Sequence, residues 1–402
     1  MRILLTRNYL PDAQQSMLRF SQTLERELRN AGHEVHVLRP RARLGRNRAT
    51  GQGPGKWLAY IDKFVLFIPQ LRRFASRADV VHICDHAYSP YTRYLAGIPT
   101  VVTCHDLLSV SCAFGEFSGR TVRWSGRKYQ QLILTGIGRA SLVGCDSAST
   151  RSDLLRLTKV SRERVSVIHI GYNFAYSPCS DSEARQRVKR LGIDLDARFI
   201  IHVGSDVWYK NVTGVVRIFS SLLSFPQTND LHLVMVGNGR TRELNSLIGE
   251  YGLSSRIIVL SRVSNDDLRA LYSRASGLLF PSLCEGFGWP IIEAQACGCP
   301  VFTSNRAPMT EVAGDGAVYF DPEKYQEAAD IIRRHLPESA EMRSLGFVNA
   351  ARFSATAMAA AYVRLYFQAI GVTRGLCSGS QERLSASASD GVRAGNVPFP
   401  PG

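Results

Sequence analysis

The sequence lacks any long hydrophobic run. No stretch of its 402 residues reaches the roughly 18 consecutive apolar residues that a membrane-spanning helix requires. The apolar run near the N-terminus, residues 3–5, is too short for the core of a signal peptide and is typical of a first strand. We therefore expect a cytoplasmic protein.

The sequence also lacks a cysteine framework. Its nine cysteines are odd in number and scattered, a usage typical of reduced thiols in the cytoplasm. Cys297 and Cys299 are neighbours, but no second pair of His or Cys accompanies them, so we predict no metal site there. Small buried side chains are the better interpretation of these cysteines.

Two kinds of binding motif are missing as well. The first strand is not followed by GxGxxG, which argues against a nicotinamide-dependent oxidoreductase. No helix-turn-helix, RRM or zinc-finger pattern accompanies the basic charge. We therefore expect no nucleic-acid partner.

Positive charge is abundant and unevenly distributed. The net charge is +15, and residues 1–170 alone hold 26 Lys or Arg against 12 Asp or Glu. Between Arg39 and Arg77 ten basic residues are opposed only by Asp62, which suggests an anionic partner on this side of the molecule. The same segment has an apolar face, formed by Trp57, Leu58, Ile61, Phe64, Val65, Phe67 and Ile68.

Basic and apolar residues in this arrangement resemble an interfacial helix at the inner, anionic face of a membrane. The alternative is an ordinary helix that packs on a sheet and exposes a solvated basic face. The sequence leaves both interpretations open.

Short apolar runs alternate with helical segments along the chain, which predicts two parallel sheets covered by helices on both faces. The strands are predicted near residues 3–5, 35–38, 80–83, 100–103, 142–144 and 165–168, and then near 199–203, 231–236, 257–259, 277–280, 301–303 and 318–320. The fold class is therefore α/β, with two doubly wound, Rossmann-like domains. Ligands bind beyond the carboxyl ends of such strands, so the two domains should enclose a cleft.

The predicted boundaries follow from this alternation and from composition. They are an N-terminal domain at 1–175, a connector at 176–196, a second domain at 197–354, an amphipathic helix at 355–370 and a disordered tail rich in Ser, Gly and Pro at 371–402.

The stretch from Phe280 to Val301 carries the clearest chemical signal. A buried strand leads into a loop with Glu285 and the Gly286-Phe287-Gly288 turn, and a helix with Glu293 follows. Glycines let backbone approach a ligand closely, and the N–H groups of a helix start attract phosphate. Carboxylates accept hydrogen bonds from sugar hydroxyls. A ligand with both a diphosphate and polyols is a nucleotide sugar.

This stretch and others resemble the family-4 retaining glycosyltransferases of GT-B fold, over roughly residues 1–370. The most specific match is LYSRASGLLFPSLCEGFGWPIIEAQACGCPVFTSN followed by PMTEVAGDGAVYFDP, which is similar to the E-x7-E region of the family. Supporting matches, in order, are NYLP, AGHEVHVL, VVHIC, VVTCHD, CDSAST and GSDVWYKN. The resemblance implies two facing Rossmann-like domains with an interdomain cleft.

The resemblance also implies roles for donor-binding residues. Glu293 corresponds to the acid that binds the ribose, and Glu285 to the one that contacts hydroxyls of the donor sugar. The backbone of Gly286, Phe287 and Gly288 would meet the sugar and diphosphate. In the loop that begins at Gly204, Lys210 corresponds to the lysine that neutralises the diphosphate. Arg262 and Val263 match a segment that contacts the base.

On the N-terminal side, the resemblance places His105 close to the donor sugar, where its imidazole or its backbone would stabilise the transition state. With Lys210 and Glu285 it forms the implied catalytic set. Gln15, Asp106 and Ser147 are the candidates for the acceptor side. Because Lys210 and the helix N-terminus would stabilise the departing phosphate, we expect neither a metal nor a cofactor besides the nucleotide sugar.

Three positions depart from the family pattern. A glycine pair that often follows the first strand is replaced here by residues 11–16, PDAQQS. An arginine common ahead of the matched lysine is absent, and Ser205 and Asp206 lie in that loop. An asparagine-glycine turn before the connector is replaced by residues 170–173. These changes affect two parts of the implied site. One is the acceptor loop, and the other is the second cation that would bind the diphosphate.

The sequence thus predicts a retaining transferase that moves a hexose from a nucleotide diphosphate sugar to an acceptor hydroxyl, in bacterial surface glycan synthesis. The acceptor would be a sugar or a lipid-linked glycan. One alternative is a nucleotide-sugar epimerase of the same fold, which needs no acceptor. The other is a non-catalytic relative that only binds nucleotide sugars.

Overall fold

The computed structural model describes residues 1–45, 53–119, 121–194, 196–239 and 241–390. Within them lie two six-stranded parallel sheets. The strands of the first sheet are β1 (Arg2–Thr6), β2 (Glu34–Leu38), β3 (Val80–Ile83), β4 (Thr100–Cys104), β5 (Leu142–Cys145) and β6 (Val165–Val167), in the order β2-β1-β3-β4-β5-β6.

The strands of the second sheet follow after residue 198. They are β7 (Phe199–Val203), β8 (His232–Gly237), β9 (Ile257–Ser261), β10 (Gly277–Phe280), β11 (Val301–Ser304) and β12 (Ala317–Phe320), in the order β12-β11-β10-β7-β8-β9. All the pairings are parallel, and β3, β4, β5, β10 and β11 are buried throughout. This confirms the predicted α/β class with two doubly wound domains.

Helices cover both sheets. Those of the first half are α1 (Gln15–Asn30), α2 (Gly53–Ile61), α3 (Ile68–Ala75), α4 (Leu108–Ala113), α5 (Trp124–Arg139) and α6 (Ala148–Leu157). Those of the second half are α7 (Asp181–Arg190), α8 (Val212–Leu222), α9 (Arg242–Glu250), α10 (Asn265–Arg274), α11 (Trp289–Ala296), α12 (Met309–Ala313), α13 (Tyr325–His335), α14 (Ser339–Ala350) and α15 (Ala355–Asp390).

Short helical turns complete the chain. The 3-10 turns are Leu10–Asp12, His86–Tyr94, Arg162–Arg164, Trp208–Lys210, Gly314–Gly316 and Leu336–Glu338, and Asp62–Leu66 is a π-helical turn. The segment predicted as a connector contains α7, which packs on α10 through an ion pair between Arg187 and Asp267 at 3.1 Å.

The last helix returns to the first domain. The hydroxyl of Tyr362 lies 2.7 Å from Oγ1 of Thr103, and the hydroxyl of Tyr366 lies 2.7 Å from Nδ1 of His82. Both tyrosines are fully buried and belong to one apolar cluster that includes residues of both sheets. The N-terminal domain is therefore completed by residues from the far end of the chain.

The prediction of a helix at 355–370 followed by a disordered tail is wrong for residues 371–390, because α15 continues to Asp390. This part of the sequence contains no proline and includes Leu, Ala, Gln, Glu and Arg, which favour helix. The predicted tail at 391–402 lies outside the described residues.

In the described part of the basic segment between Arg39 and Arg77, α2, the π-helical turn and α3 follow one another from Gly53 to Ala75. Asp62, at the start of the π-helical turn, is buried and accepts hydrogen bonds from the backbone N–H of Gly45 at 3.0 Å and from the hydroxyl of Tyr9 at 2.8 Å. Phe67 and Ile68, predicted for the apolar face, are also buried. Among the described residues of the segment, the exposed large apolar side chains are Leu44, Trp57, Ile61, Val65 and Leu66.

Candidate active site

A cleft of about 530 Å³ lies between the two domains, at the carboxyl ends of both sheets. The N-terminal wall comes from the first turns of α1 and from the ends of β4 and β5, and the C-terminal wall from the β7 end and the loop into α11. The predicted site residues that line it are Gln15, His105, Asp106, Gly204, Lys210, Glu285, Gly286, Phe287, Gly288 and Glu293.

Lys210 and Glu285 form an ion pair in the cleft, with Nζ 2.7 Å from Oε1. Their side chains are only 15% and 7% exposed. The lysine ends a 3-10 turn, and the next residue, Asn211, donates from Nδ2 to the carbonyl of Pro281 at 3.0 Å. This hydrogen bond joins the two loops, so the cation and the carboxylate are held in fixed relation.

Glu293 lies in the second turn of α11 and is buried. Tyr272 of α10 donates its hydroxyl to Oε2 at 3.2 Å. Burial raises the pKa of Glu293 to about 7, while the hydrogen bond from Tyr272 and the charge of Arg19 act to lower it. Glu293 lines the cleft, and a carboxyl group has more acceptor sites than one hydrogen bond occupies.

Both ring nitrogens of His105 are engaged inside the N-terminal domain. Nδ1 lies 2.6 Å from Oδ2 of Asp146, and Nε2–H donates to the carbonyl of Cys84 at 2.8 Å. Burial alone would lower the pKa of His105, but the carboxylate of Asp146 raises it to about 9. Of the two roles implied for His105, the one that needs a free imidazole does not agree with this geometry.

The backbone of His105 contacts the glycine turn instead. A Cβ on Gly286 would lie 2.2 Å from the carbonyl oxygen of His105, so only glycine permits this approach of the two domains. Gly288 caps α11 at φ 106°, in the left-handed region that glycine favours. Gly286 is therefore required by the close approach of the two domains, and Gly288 by its positive φ.

Ser147 does not line the cleft. Its hydroxyl donates to the carbonyl of Gly286 at 2.8 Å, and its Oγ caps α6 by accepting from the N–H of Thr150. Because Ser147 is fully buried in this interdomain contact, the prediction that it serves the acceptor side does not agree with its position.

Glu311, for which no role was predicted, joins the domains beside Ser147. Its carboxylate accepts from the N–H of Ala148 at 2.9 Å and lies 2.7 Å from Nε2 of His169. Glu311 belongs to the matched PMTEVAGDG stretch, which was the available signal. The contact sets the separation of the two walls of the cleft.

The loop without the glycine pair adopts a glycine-like turn nevertheless. Ala13 has φ 54°, in the left-handed region, and lines the cleft. Asp12 anchors the turn through Nζ of Lys63 at 2.9 Å and the hydroxyl of Tyr88 at 3.0 Å. Gln15 follows at the start of α1, so the predicted acceptor-side residue does face the cleft.

Arg262 and Val263 are not among the residues that line the cleft. Arg262 has φ 56° directly after β9, a conformation that is uncommon for residues other than glycine. Val263 packs against the apolar cluster shared by the two domains. Their contact with a base stays a prediction.

Arg19 is a charged cleft residue that the sequence did not reveal. It lies in the second turn of α1, exposed toward the cleft. Its neighbour Phe20 is buried with its ring centroid 4.8 Å from that of His105, which fixes the orientation of the helix. From sequence alone, a single arginine on an amphipathic helix cannot be distinguished from one that only faces solvent.

Solved structures share this architecture. Sucrose-phosphate synthase from Thermosynechococcus elongatus superposes with a TM-score of 0.74 at 20% identity, over 92% of this chain and 98% of that one. HepE of Anabaena, solved in complex with UDP-glucose, gives 0.68 at 17% identity, over 94% of this chain and 100% of that one. At these identities the likeness concerns the fold.

Sequence relatives point to one family. The chain is 25% identical over 294 residues to the serotype-specific mannosyltransferase WbdA of Escherichia coli, covering 69% of this chain and 35% of that protein. It thus spans about a third of the length of WbdA. It is 25% identical to the O-antigen chain mannosyltransferase B of Escherichia coli, over 69% of this chain and 70% of the relative.

A third relative is the MMP alpha-(1->4)-mannosyltransferase of Mycolicibacterium hassiacum, 30% identical over 68% of this chain and 66% of that protein. Two family models match the two domains. Glycosyltransferase Family 4 matches residues 19–176, and Glycosyl transferases group 1 matches residues 184–347. Taken with the two facing sheets and the cleft between them, these matches show that the chain belongs to the family-4, group 1 glycosyltransferases.

Proposed function

We propose that the protein transfers a hexose from a nucleotide diphosphate sugar to an acceptor hydroxyl, with retention of the anomeric configuration. The observation that carries the proposal is the arrangement of Lys210, Glu285 and Glu293 around the Gly286 turn on one wall of the cleft. This set offers a cation for a diphosphate and two carboxylates for hydroxyl groups.

In this proposal the donor lies along the C-terminal wall. Glu293 accepts hydrogen bonds from the ribose, and Glu285 accepts them from the sugar. Lys210 binds the diphosphate. To do so, its ammonium gives up part of its contact with Glu285. A fixed cation stabilises the charge that develops on the departing phosphate, which is the largest catalytic contribution such a site makes.

The proposed chemistry is a front-face substitution. The bond between the anomeric carbon and the phosphate oxygen breaks, the bond to the acceptor oxygen forms on the same face, and the acceptor proton passes to the departing phosphate oxygen. Lys210 and the N-terminus of α11 supply the stabilising charge, so we propose that no divalent metal is needed. His105 acts as a positioning residue, because its ring fixes the ends of β3, β4 and β5.

A screen of nucleotide sugars by thermal stabilisation tests donor binding, since a ligand that binds only the folded state raises Tm. Mannose donors come first, because WbdA and the two other relatives carry mannosyltransferase names. Products formed from donor alone would indicate an epimerase, and donor binding without transfer or hydrolysis would indicate a non-catalytic relative. Normal donor affinity and turnover in Glu293→Ala would contradict the site assignment.

The relatives also suggest the acceptor class. One of them is named an O-antigen chain mannosyltransferase, which supports a role in bacterial surface glycan synthesis with a glycan acceptor. Saccharides and lipid-linked saccharides with terminal mannose are the first acceptors to test.

An anionic membrane surface is the proposed partner of the basic N-terminal domain. Trp57 of α2 is 58% exposed and Trp124 of α5 is 73% exposed, and rings of Tyr60 and Tyr129 in contact at 5.4 Å join the two helices. Lys128 lies 5.8 Å from the Trp124 ring centroid. Exposed aromatic residues beside cations suit the interface of an anionic bilayer. Among the described residues no helix is both long and apolar enough to span one.

Flotation with phosphatidylcholine vesicles, with and without phosphatidylglycerol, tests this partner. We expect binding that needs the anionic lipid, weakens with salt and is reduced by Trp57→Ser and by Trp124→Ser. Phe367→Ser is the matched control, because Phe367 is 61% exposed on α15. Equal binding to both kinds of vesicle, or none, would remove the proposal.

A further inference from the structure

The cleft contains one cation that the residues described here leave unpaired. Lys210 is paired with Glu285, and the imidazole of His105 is paired with Asp146. Arg19 lines the same cleft and forms no ion pair or hydrogen bond with any described residue. Among the cations that line the cleft, the Arg19 guanidinium is therefore the one available to an anionic ligand.

The position of Arg19 relates it to one end of the cleft. Arg19 and Glu293 line the same cleft. The charge of Arg19 acts to lower the pKa of Glu293 and of Tyr176, on the side where the ribose is proposed to bind, and the charge of Lys210 acts on Glu293 after that of Arg19. Lys210 pairs instead with Glu285, on the side of the donor sugar. In a nucleotide sugar the two phosphates lie in sequence between the ribose and the sugar. With Arg19 acting on Glu293 and Lys210 paired with Glu285, the two cations would follow the same sequence as the two phosphates.

The loop ahead of Lys210 offers no second cation of its own. Gly204, Ser205 and Asp206 occupy it, and Oδ2 of Asp206 accepts from the hydroxyl of Thr241 at 2.7 Å. A diphosphate carries more negative charge than Lys210 alone can neutralise, particularly with Glu285 beside it. A second positive charge for the diphosphate therefore has to come from another part of the cleft.

We propose that Arg19 of α1 binds the phosphate adjacent to the ribose, while Lys210 binds the phosphate adjacent to the sugar. This inference rests on the proposed donor. A guanidinium suits the task because its planar set of donors forms paired hydrogen bonds with phosphate oxygens. Arg19 belongs to the N-terminal domain and Lys210 to the C-terminal domain, so the diphosphate connects the two.

Titration calorimetry with nucleosides, monophosphates and diphosphates of uridine and guanosine tests the assignment. Arg19→Ala should weaken the monophosphate and the diphosphate by a similar factor, about 10–100-fold for the loss of a charged hydrogen bond, and leave the nucleoside unchanged. Lys210→Ala should weaken the diphosphate but not the monophosphate. Arg19→Lys should retain part of the affinity.

Arg26→Ala is the matched control, because Arg26 lies on the same helix with its side chain 54% exposed and paired with Glu27. Equal diphosphate binding by Arg19→Ala and the wild type would overturn this assignment alone. An equal loss of affinity for the nucleoside in Arg19→Ala would overturn it too. A change confined to the KM of the acceptor would have the same consequence. A wild-type protein that binds none of these nucleotides, and none of the nucleotide sugars in the thermal stabilisation screen, would overturn the proposed function as well.

Discussion

Nζ of Lys210 lies 2.7 Å from Oε1 of Glu285, across two loops that are 75 residues apart in the chain. Each side chain compensates the burial of the other. The same pair is proposed to separate in part when a diphosphate enters. Stability and catalysis therefore depend on these residues in different ways, and the two can be measured apart.

Lys210→Met should lower kcat/KM by about 10²–10³-fold, because the departing phosphate loses its fixed cation. It should also lower the free energy of unfolding by about 1–3 kcal/mol, because Glu285 is left with little solvent and no partner. The double variant Lys210→Met with Glu285→Gln should recover stability but not activity. Recovery of activity in the double variant would show that Lys210 serves only to neutralise Glu285.

Glu293→Gln should stabilise the ligand-free protein at high pH while it weakens donor binding. Burial raises the pKa of Glu293 from 4.5 to about 7, so wild-type stability falls as the pH rises from about 4.5 to 7. Glutamine carries no charge to desolvate. Above pH 7 the variant should therefore gain at most about 3 kcal/mol in free energy of unfolding over the wild type.

Thermal melts near pH 4 and pH 8 check this expectation, and the difference between variant and wild type should grow with pH. Glu250→Gln, at an exposed site, should change Tm little at either pH. A lower Tm for Glu293→Gln at high pH would contradict the prediction.

Ala13→Gly should raise the free energy of unfolding by about 0.5–1 kcal/mol. Ala13 has φ 54°, where an L-residue is strained and glycine is not. Chemical denaturation measures the change. Ala31→Gly is the control, since Ala31 is exposed at φ −79° and glycine there should only add flexibility to the unfolded chain and lower stability.

Glu311→Gln should destabilise the contact between the domains by about 1 kcal/mol at neutral pH. Burial acts to raise the pKa of Glu311, but the hydrogen bonds with His169 and Ala148 outweigh it and lower the pKa. A lowered pKa gives stability that is present above the unfolded value of 4.5 and is lost as the pH falls through the folded value. The Tm difference between wild type and variant should accordingly vanish in acid; a difference that persists there would exclude this origin.

The sequence was sufficient to predict both sheets and several residues of the C-terminal wall of the cleft. Strands such as β10 and β11 are buried throughout, so their apolar runs are visible without the structure. Lys210, Glu285 and Glu293 lie in motifs with fixed spacing, and they do line one cleft.

The sequence did not predict which distant residues contact each other or where their side chains point. That His105 turns both nitrogens inward depends on Asp146 and Cys84, at the ends of two other strands. That Arg19 faces the cleft depends on how Phe20 packs against His105. The extent of α15 depends on helix propensity over a stretch whose composition suggested disorder.

The return of α15 to the first domain has a consequence for synthesis. The hydroxyls of Tyr362 and Tyr366 are the partners of Thr103 and His82, which leave the ribosome more than 250 residues earlier. Thr103 and His82 contact each other at 2.7 Å, but Nδ1 of His82 lacks its partner until α15 is made. The first sheet therefore emerges with part of one face uncovered, and it waits through the translation of the entire second domain. At about 5–20 residues per second that interval lasts tens of seconds, during which the nascent first domain is a natural client for chaperones.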